Sequence, residues 1–130
     1  MEEKTFERLF TQRALRALFP RDRADLFFEA LYGDPSEGAY EINLVFKGQD
    51  RDTLQFEFQL EQRPGKCLVC NLTYGLPEVF SRHPIINIKG LISEIDQMLD
   101  GQWKCTDWRL GITREVSREL HILPLRITIA

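Results

Sequence analysis

The residue types in this chain best suited to chemistry are thiols and imidazoles. Cys67 and Cys70 stand at CxxC spacing, with Cys105 further on and His83 and His121 elsewhere. Zinc takes four thiolate or imidazole ligands about a tetrahedral centre, and a CxxC turn ordinarily supplies two of them. Cys67, Cys70 and Cys105 are therefore the candidate metal ligands. The surrounding pattern favours ordinary thiols. Residues 66 to 74 alternate as a strand does, and strand positions three apart point to opposite faces, so Cys70 is expected in the core and Cys67 on the polar side. A redox CxxC opens a helix, whose N-terminus stabilises the thiolate; this one opens a strand. No second CxxC follows, and no metal or other cofactor is expected.

His83 is the candidate catalytic residue. It lies in the loop Arg82-His83-Pro84, where an imidazole can act as general base if Glu78 or Asp107 orients it. The plainer reading is a solvated loop histidine. Nucleophile-elbow, phosphate-loop and dinucleotide signatures are absent. Trp103, Phe80 and Phe27 fit no periodic stripe cleanly, so Trp103 and Phe80, with Arg82, are the candidate ligand-binding residues; burial in the core is the simpler fate for large aromatics. The row Glu57, Gln59 and Glu61 suits a cation or basic peptide, or merely a wet strand face.

The net charge of −3 argues against general affinity for nucleic acid or anionic membranes. One stretch departs from it. Arg8, Arg13, Arg16, Arg21 and Arg23 face a single acid, Asp22, between residues 8 and 23. On one helix Arg8, Gln12 and Arg16 share an exposed face, which suits an anion contact or a solvated surface. Three cysteines cannot all pair within the chain, and free thiols fit a reducing compartment. The start, Met1-Glu2-Glu3-Lys4, lacks the basic and apolar run of a signal peptide. No apolar run approaches the roughly 20 residues that span a bilayer. A cytoplasmic location is expected.

These side chains must be positioned by a scaffold whose pattern is plain. At 130 residues, a single domain over 1–130 is expected. Tyr40, Ile42, Leu44 and Phe46 alternate with polar residues, as do Leu54, Phe56, Phe58 and Leu60, and then Leu68, Cys70, Leu72 and Tyr74. Period-two alternation predicts a three-strand antiparallel meander. Gly48 to Asp52 closes the first hairpin, setting Phe46 near Leu54; Arg63-Pro64-Gly65 closes the second, setting Phe58 against Cys70. A first helix begins after Thr5 and stops at Pro20, with Phe6, Leu9, Phe10, Ala14, Ala17 and Leu18 as its buried stripe. Residues 24 to 32 admit two readings: Leu26, Phe28, Ala30 and Tyr32 alternate as a strand would, while Leu26, Phe27, Ala30 and Leu31 fit a helical turn equally well, and a short helix is slightly favoured; a loop follows over 34 to 38.

A second amphipathic helix starts at an Asn87 N-cap and ends at Gly101, burying Ile88, Leu91, Ile92, Ile95 and Leu99. Trp108, Leu110 and Ile112 form a fourth strand. Leu123, Leu125, Ile127 and Ile129 form a fifth, while Leu120 and Ile122 fall in the opposite phase. That phase change predicts a bulge near Pro124, and the proline places the stretch at a sheet edge. The fold class is α+β: an antiparallel sheet of about five strands with two amphipathic helices on one face.

The stretch Arg63-Pro64-Gly65-Lys66-Cys67-Leu68-Val69-Cys70-Asn71-Leu72-Thr73-Tyr74-Gly75-Leu76-Pro77-Glu78-Val79-Phe80-Ser81-Arg82-His83-Pro84 resembles a small bacterial family of uncharacterised proteins. Some members carry a pancreas/duodenum homeobox label. The resemblance implies a bacterial protein and brings no activity or site residues. The label conflicts with the chain itself, because a homeodomain is three helices with a basic recognition helix. The expectation is a non-catalytic interaction or binding module, homodimeric, with a protein or peptide partner. The alternative is a small-molecule-binding domain or enzyme with an apolar pocket between helix and sheet near His83 and Trp103.

Overall fold

The computed structural model describes residues 2–20, 22–33, 40–65 and 76–130. Its elements run α1 (Glu2–Leu9), α2 (Gln12–Leu18), α3 (Asp22–Tyr32), β1 (Tyr40–Asp50), β2 (Thr53–Gln62), α4 (Leu76–Arg82), α5 (Ile88–Met98), β3 (Cys105–Leu110), β4 (Arg114–Glu115) and β5 (Leu120–Ile129). The fold is α+β with a five-stranded antiparallel sheet, ordered β1-β2-β5-β3, with β4 also on β5. Among the described residues no helix is long and apolar enough to cross a membrane.

Alternation decides which sheet face is buried. Ile42 and Leu44 on β1, Leu54, Phe56, Phe58 and Leu60 on β2, and Leu123, Leu125, Ile127 and Ile129 on β5 all turn inward. Helical side chains fill the space above them. Phe10 lies 5.2 Å from Phe46 and 5.1 Å from Phe56, ring centre to ring centre. Phe19 and Phe80 meet Phe58 at 5.3 and 5.5 Å. Such tilted and edge-on pairs add to plain area burial.

The first hairpin is tighter than its sequence suggests. Arg51 and Asp52 alone turn the chain, and the strands slip at a bulge between Phe46 and Gly48. Phe46 consequently faces Phe56, not Leu54, and Leu44 faces Phe58. The slip is two residues, so no side chain changes face. The second hairpin is a larger correction. Residues 66 to 74 lie outside the described residues, but the far side of β2 is taken by β5, from Thr53 opposite Thr128 to Glu61 opposite Leu120. Phe58 therefore meets Leu123 where Cys70 was expected.

β5 is accordingly a central strand, and its pairing with β2 runs without a bulge. Leu120 and Ile122 occupy the polar face of an unbroken alternation, and His121 takes the inward position opposite Leu60. Pro124 is tolerated there for a local reason. Its carbonyl accepts from the Gly111 N–H at 2.8 Å, so its nitrogen also faces the side where β3 has ended and β4 has not begun. The missing donor falls on a gap in the neighbouring strand. Ile112, expected within a strand, lies in that gap and is exposed.

The expected first helix is two helices. Thr11 has extended backbone and accepts the Ala14 N–H on its hydroxyl at 3.2 Å, capping α2 and breaking the chain after α1. The buried row becomes Phe6, Phe10, Leu15 and Phe19, while Ala17 is exposed. Residues 22–32 are helical, which decides between the two readings that 24–32 allowed, and α4 is an additional helix. α5 matches its sequence signals: Asn87 caps it through the Gly90 N–H, and Ile88, Leu91 and Ile95 are buried. Gly90 has a reason too, because a Cβ there would overlap the Asn87 carboxamide.

Candidate functional site

The polar face of the sheet carries the feature that best suits recognition. Arg109 on β3 and Arg126 on β5 stand directly opposite each other, both exposed. Inward Trp108 and Leu110 dictate that Arg109 points outward, and Leu125 and Ile127 do the same for Arg126. Together with Thr53, Asp107, Trp108 and Thr128 they line an open depression of about 250 Å³. Neither guanidinium has an ion pair or side-chain hydrogen bond with another described residue.

Like charges directly opposite on neighbouring strands destabilise the pairing. Two guanidiniums side by side present many N–H donors and no acceptor, and an incoming oxyanion relieves the repulsion while taking those donors. The flanking Thr53 and Thr128 add hydroxyls. The arrangement can hold a carboxylate or similar oxyanion; it contains no nucleophile–base pair.

His83 lines a different depression of about 330 Å³, with Ser81, Arg82, Pro84, Asn87, Ile88 and Lys89. Trp103 and Phe80 are not among its lining residues. Phe80 and Phe27 are fully buried, and Trp103 packs on Phe6 at 6.0 Å. His83 is half-buried, its ring edge-on to Phe27 at 4.8 Å. Its Nδ1 accepts the Ile85 N–H at 3.2 Å, which leaves the ring proton on Nε2. In that tautomer neither nitrogen has a spare lone pair for general-base work. Asp107 lines the arginine depression and not this one; the side chain of Glu78 lies outside those described.

Cys105 sits half-buried at the start of β3, its N–H donating to Asp96 Oδ1 at 2.8 Å. Burial first, then the charge and hydrogen bond of Asp96, push its thiol up to about 11. Such a thiol is protonated at neutral pH and a poor metal ligand. Cys67 and Cys70 lie outside the described residues. Among the described residues no group of three or more His, Cys, Asp or Glu could hold a metal ion.

The other charged candidates have local partners. Glu57 is buried on the polar face, accepting Gln59 Nε2 at 2.9 Å, with Lys47 Nζ at 4.0 Å. Arg23 donates to the carbonyls of Ile85 and Ile86 and lies 5.1 Å from the Phe19 ring. Gln12 donates to the Leu44 carbonyl at 3.4 Å, and the break at Thr11 separates Arg8 from Arg16. Arg63 clamps α3 to β1, 2.7 Å from both Asp25 and Glu41, over the Phe28 ring.

Reading the sequence missed Arg109 and Arg126. Their outward phase was visible; their meeting depends on β3 pairing with β5, which sets Arg109 opposite Arg126. Comparison of the chain with protein-family models, curated proteins and solved structures finds no match to any of them.

Proposed function

We propose that this chain is a non-catalytic interaction module that docks a carboxylate-bearing partner at Arg109 and Arg126. One observation carries the reading: two exposed guanidiniums face each other across a strand pair with no acid paired to either among the described residues. The site lies beside β3, the last strand of the sheet among the described residues. A partner there has both charge and strand edge to recognise, the two elements of strand-addition binding. His83, with Nδ1 occupied by a backbone N–H, supports recognition over catalysis.

The test is a titration of dilute protein with a short glutamate-rich peptide, followed by calorimetry or amide NMR shifts. Saturable binding that weakens with added salt is expected. Arg109→Ala and Arg126→Ala should each weaken it by roughly tenfold or more, the scale of one charge-assisted hydrogen bond. Binding unchanged in both variants, or no saturable binding to the native chain, removes the proposal.

A further inference from the structure

The two edges of the sheet are not equally protected. On β1 the helices pack alongside, and Gln12 of α2 takes the outward Leu44 carbonyl. On β3, among the described residues, hydrogen-bonding cover is confined to the start, where Asp96 accepts the Cys105 N–H. Beyond it the pairing pattern sets which groups stay open. Lys104 and Ala130 exchange both backbone hydrogen bonds, and Gly111 donates to Pro124. Alternation back from Gly111 makes Asp107 and Arg109 the residues bonded to β5, so the main-chain groups of Trp108 and Leu110 point away from the sheet. No other described residue bonds them. An open edge of this kind is a template for another strand.

We infer that the strand it takes is β3 of a second copy of this chain, antiparallel, about a two-fold axis at Trp108. This rests on the reading that Arg109 and Arg126 take a carboxylate, and it names that carboxylate as Asp107 of the second copy. Charge selects both occupant and register. Hydrogen bonding requires outward residues to face outward residues, which leaves few alignments. Trp108 opposite Leu110 sets Arg109 against Arg109. Thr106 opposite Trp108 sets Asp107 against Asp107. Leu110 opposite itself leaves Arg109 against Gly111 and matches no charges. Trp108 opposite itself sets Asp107 against Arg109 twice, once on each side of the axis.

Those two contacts fall at the closer, non-hydrogen-bonded positions of the new pair, where cross-strand side chains interact best. Each brings an acid to an arginine that faces a second arginine within its own chain. A two-fold contact must be self-complementary, and the order Asp107-Trp108-Arg109 meets that requirement.

Sedimentation velocity over a concentration series tests the inference, on the native chain, Asp107→Arg, Arg109→Asp and the double reversal. The native chain should be a dimer. Either single reversal turns two attractions into two repulsions and should weaken the dimer roughly tenfold or more. The double reversal should restore it, and circular dichroism should show all four folded alike. The glutamate-rich peptide should drive the native dimer towards monomer. A dimer indifferent to both single reversals, or single reversals not rescued by the double, overturns the inference. A native monomer at high micromolar concentration that binds the peptide overturns the inference and leaves the docking proposal standing. A monomer that does not bind it removes both.

Discussion

Cys105 shows how burial, reinforced by one charged neighbour, sets the chemistry of a residue. Partial burial and the Asp96 carboxylate move its thiol from about 9 to about 11. The folded chain thus holds this proton more tightly than the unfolded chain. Its contribution to stability is complete below about pH 9 and is lost as pH rises towards about 11. Alkylation by iodoacetamide, followed at Cys105 by peptide mass spectrometry, should be slow at pH 8 and accelerate only near pH 11. Asp96→Asn keeps an acceptor for the Cys105 N–H but removes the charge, so the acceleration should move to lower pH. An unchanged profile would assign the shift to burial alone. His83 is governed in the same local way, its Nδ1 held by the Ile85 N–H. In neither case does the residue type reveal the state, because it is set by surroundings: a backbone amide for His83, and burial followed by the Asp96 carboxylate for Cys105.

Elements of this fold are stabilised at their ends as much as along their faces. Asn87 adopts a left-handed backbone, φ 50°, and its side chain closes over Gly90. Glycine in a helix ordinarily forfeits up to about 1 kcal/mol against alanine. Gly90→Ala recovers that amount only by displacing the Asn87 cap, itself worth about 1 kcal/mol. The substitution should therefore be near neutral in the native chain and stabilising by about 1 kcal/mol in an Asn87→Gly background. Urea denaturation of the four proteins of this cycle measures the coupling; additivity would show that cap and glycine are independent. The cap signal is local in sequence and could be read directly. The break at Thr11 was also local, yet an apolar pattern spanning it concealed two helices with one shared buried face. Pro124 is the opposite case: its position in the sheet depends on where β3 and β4 leave a gap.

Stability of the whole molecule is concentrated where helical aromatics meet the sheet. Phe56 is 2% exposed and pairs with Phe10 and Phe46 at 5.1 Å each. Phe56→Ala should cost about 3–5 kcal/mol in a denaturation experiment, from lost burial and the cavity left behind. Domains commonly have about 5–15 kcal/mol in total, so this variant should be close to unfolding at 37 °C. A small loss would mean that the aromatic layer repacks around the vacancy. The polar face carries no comparable burden at Arg109 and Arg126, which is why substitutions there separate recognition from folding.

While residues 24–32 fitted helix and strand alike until the structure showed a helix, sequence alone determined the inward faces of β1, β2 and the second half of β5, and the capped start of α5. These follow from periodicity and capping, which act over a few residues. A two-residue slip in the first hairpin altered the partners of Phe46 without disturbing that assignment, since side chains on a strand repeat every second position. Only the tertiary structure decided strand order. β2 ends at Gln62 and β5 begins only at Leu120, and nothing local states that Phe58 meets Leu123. The same is true of the candidate site. Arg109 and Arg126 are each ordinary polar positions on a strand, and they become a site because β5 lies between β2 and β3 and brings one opposite the other.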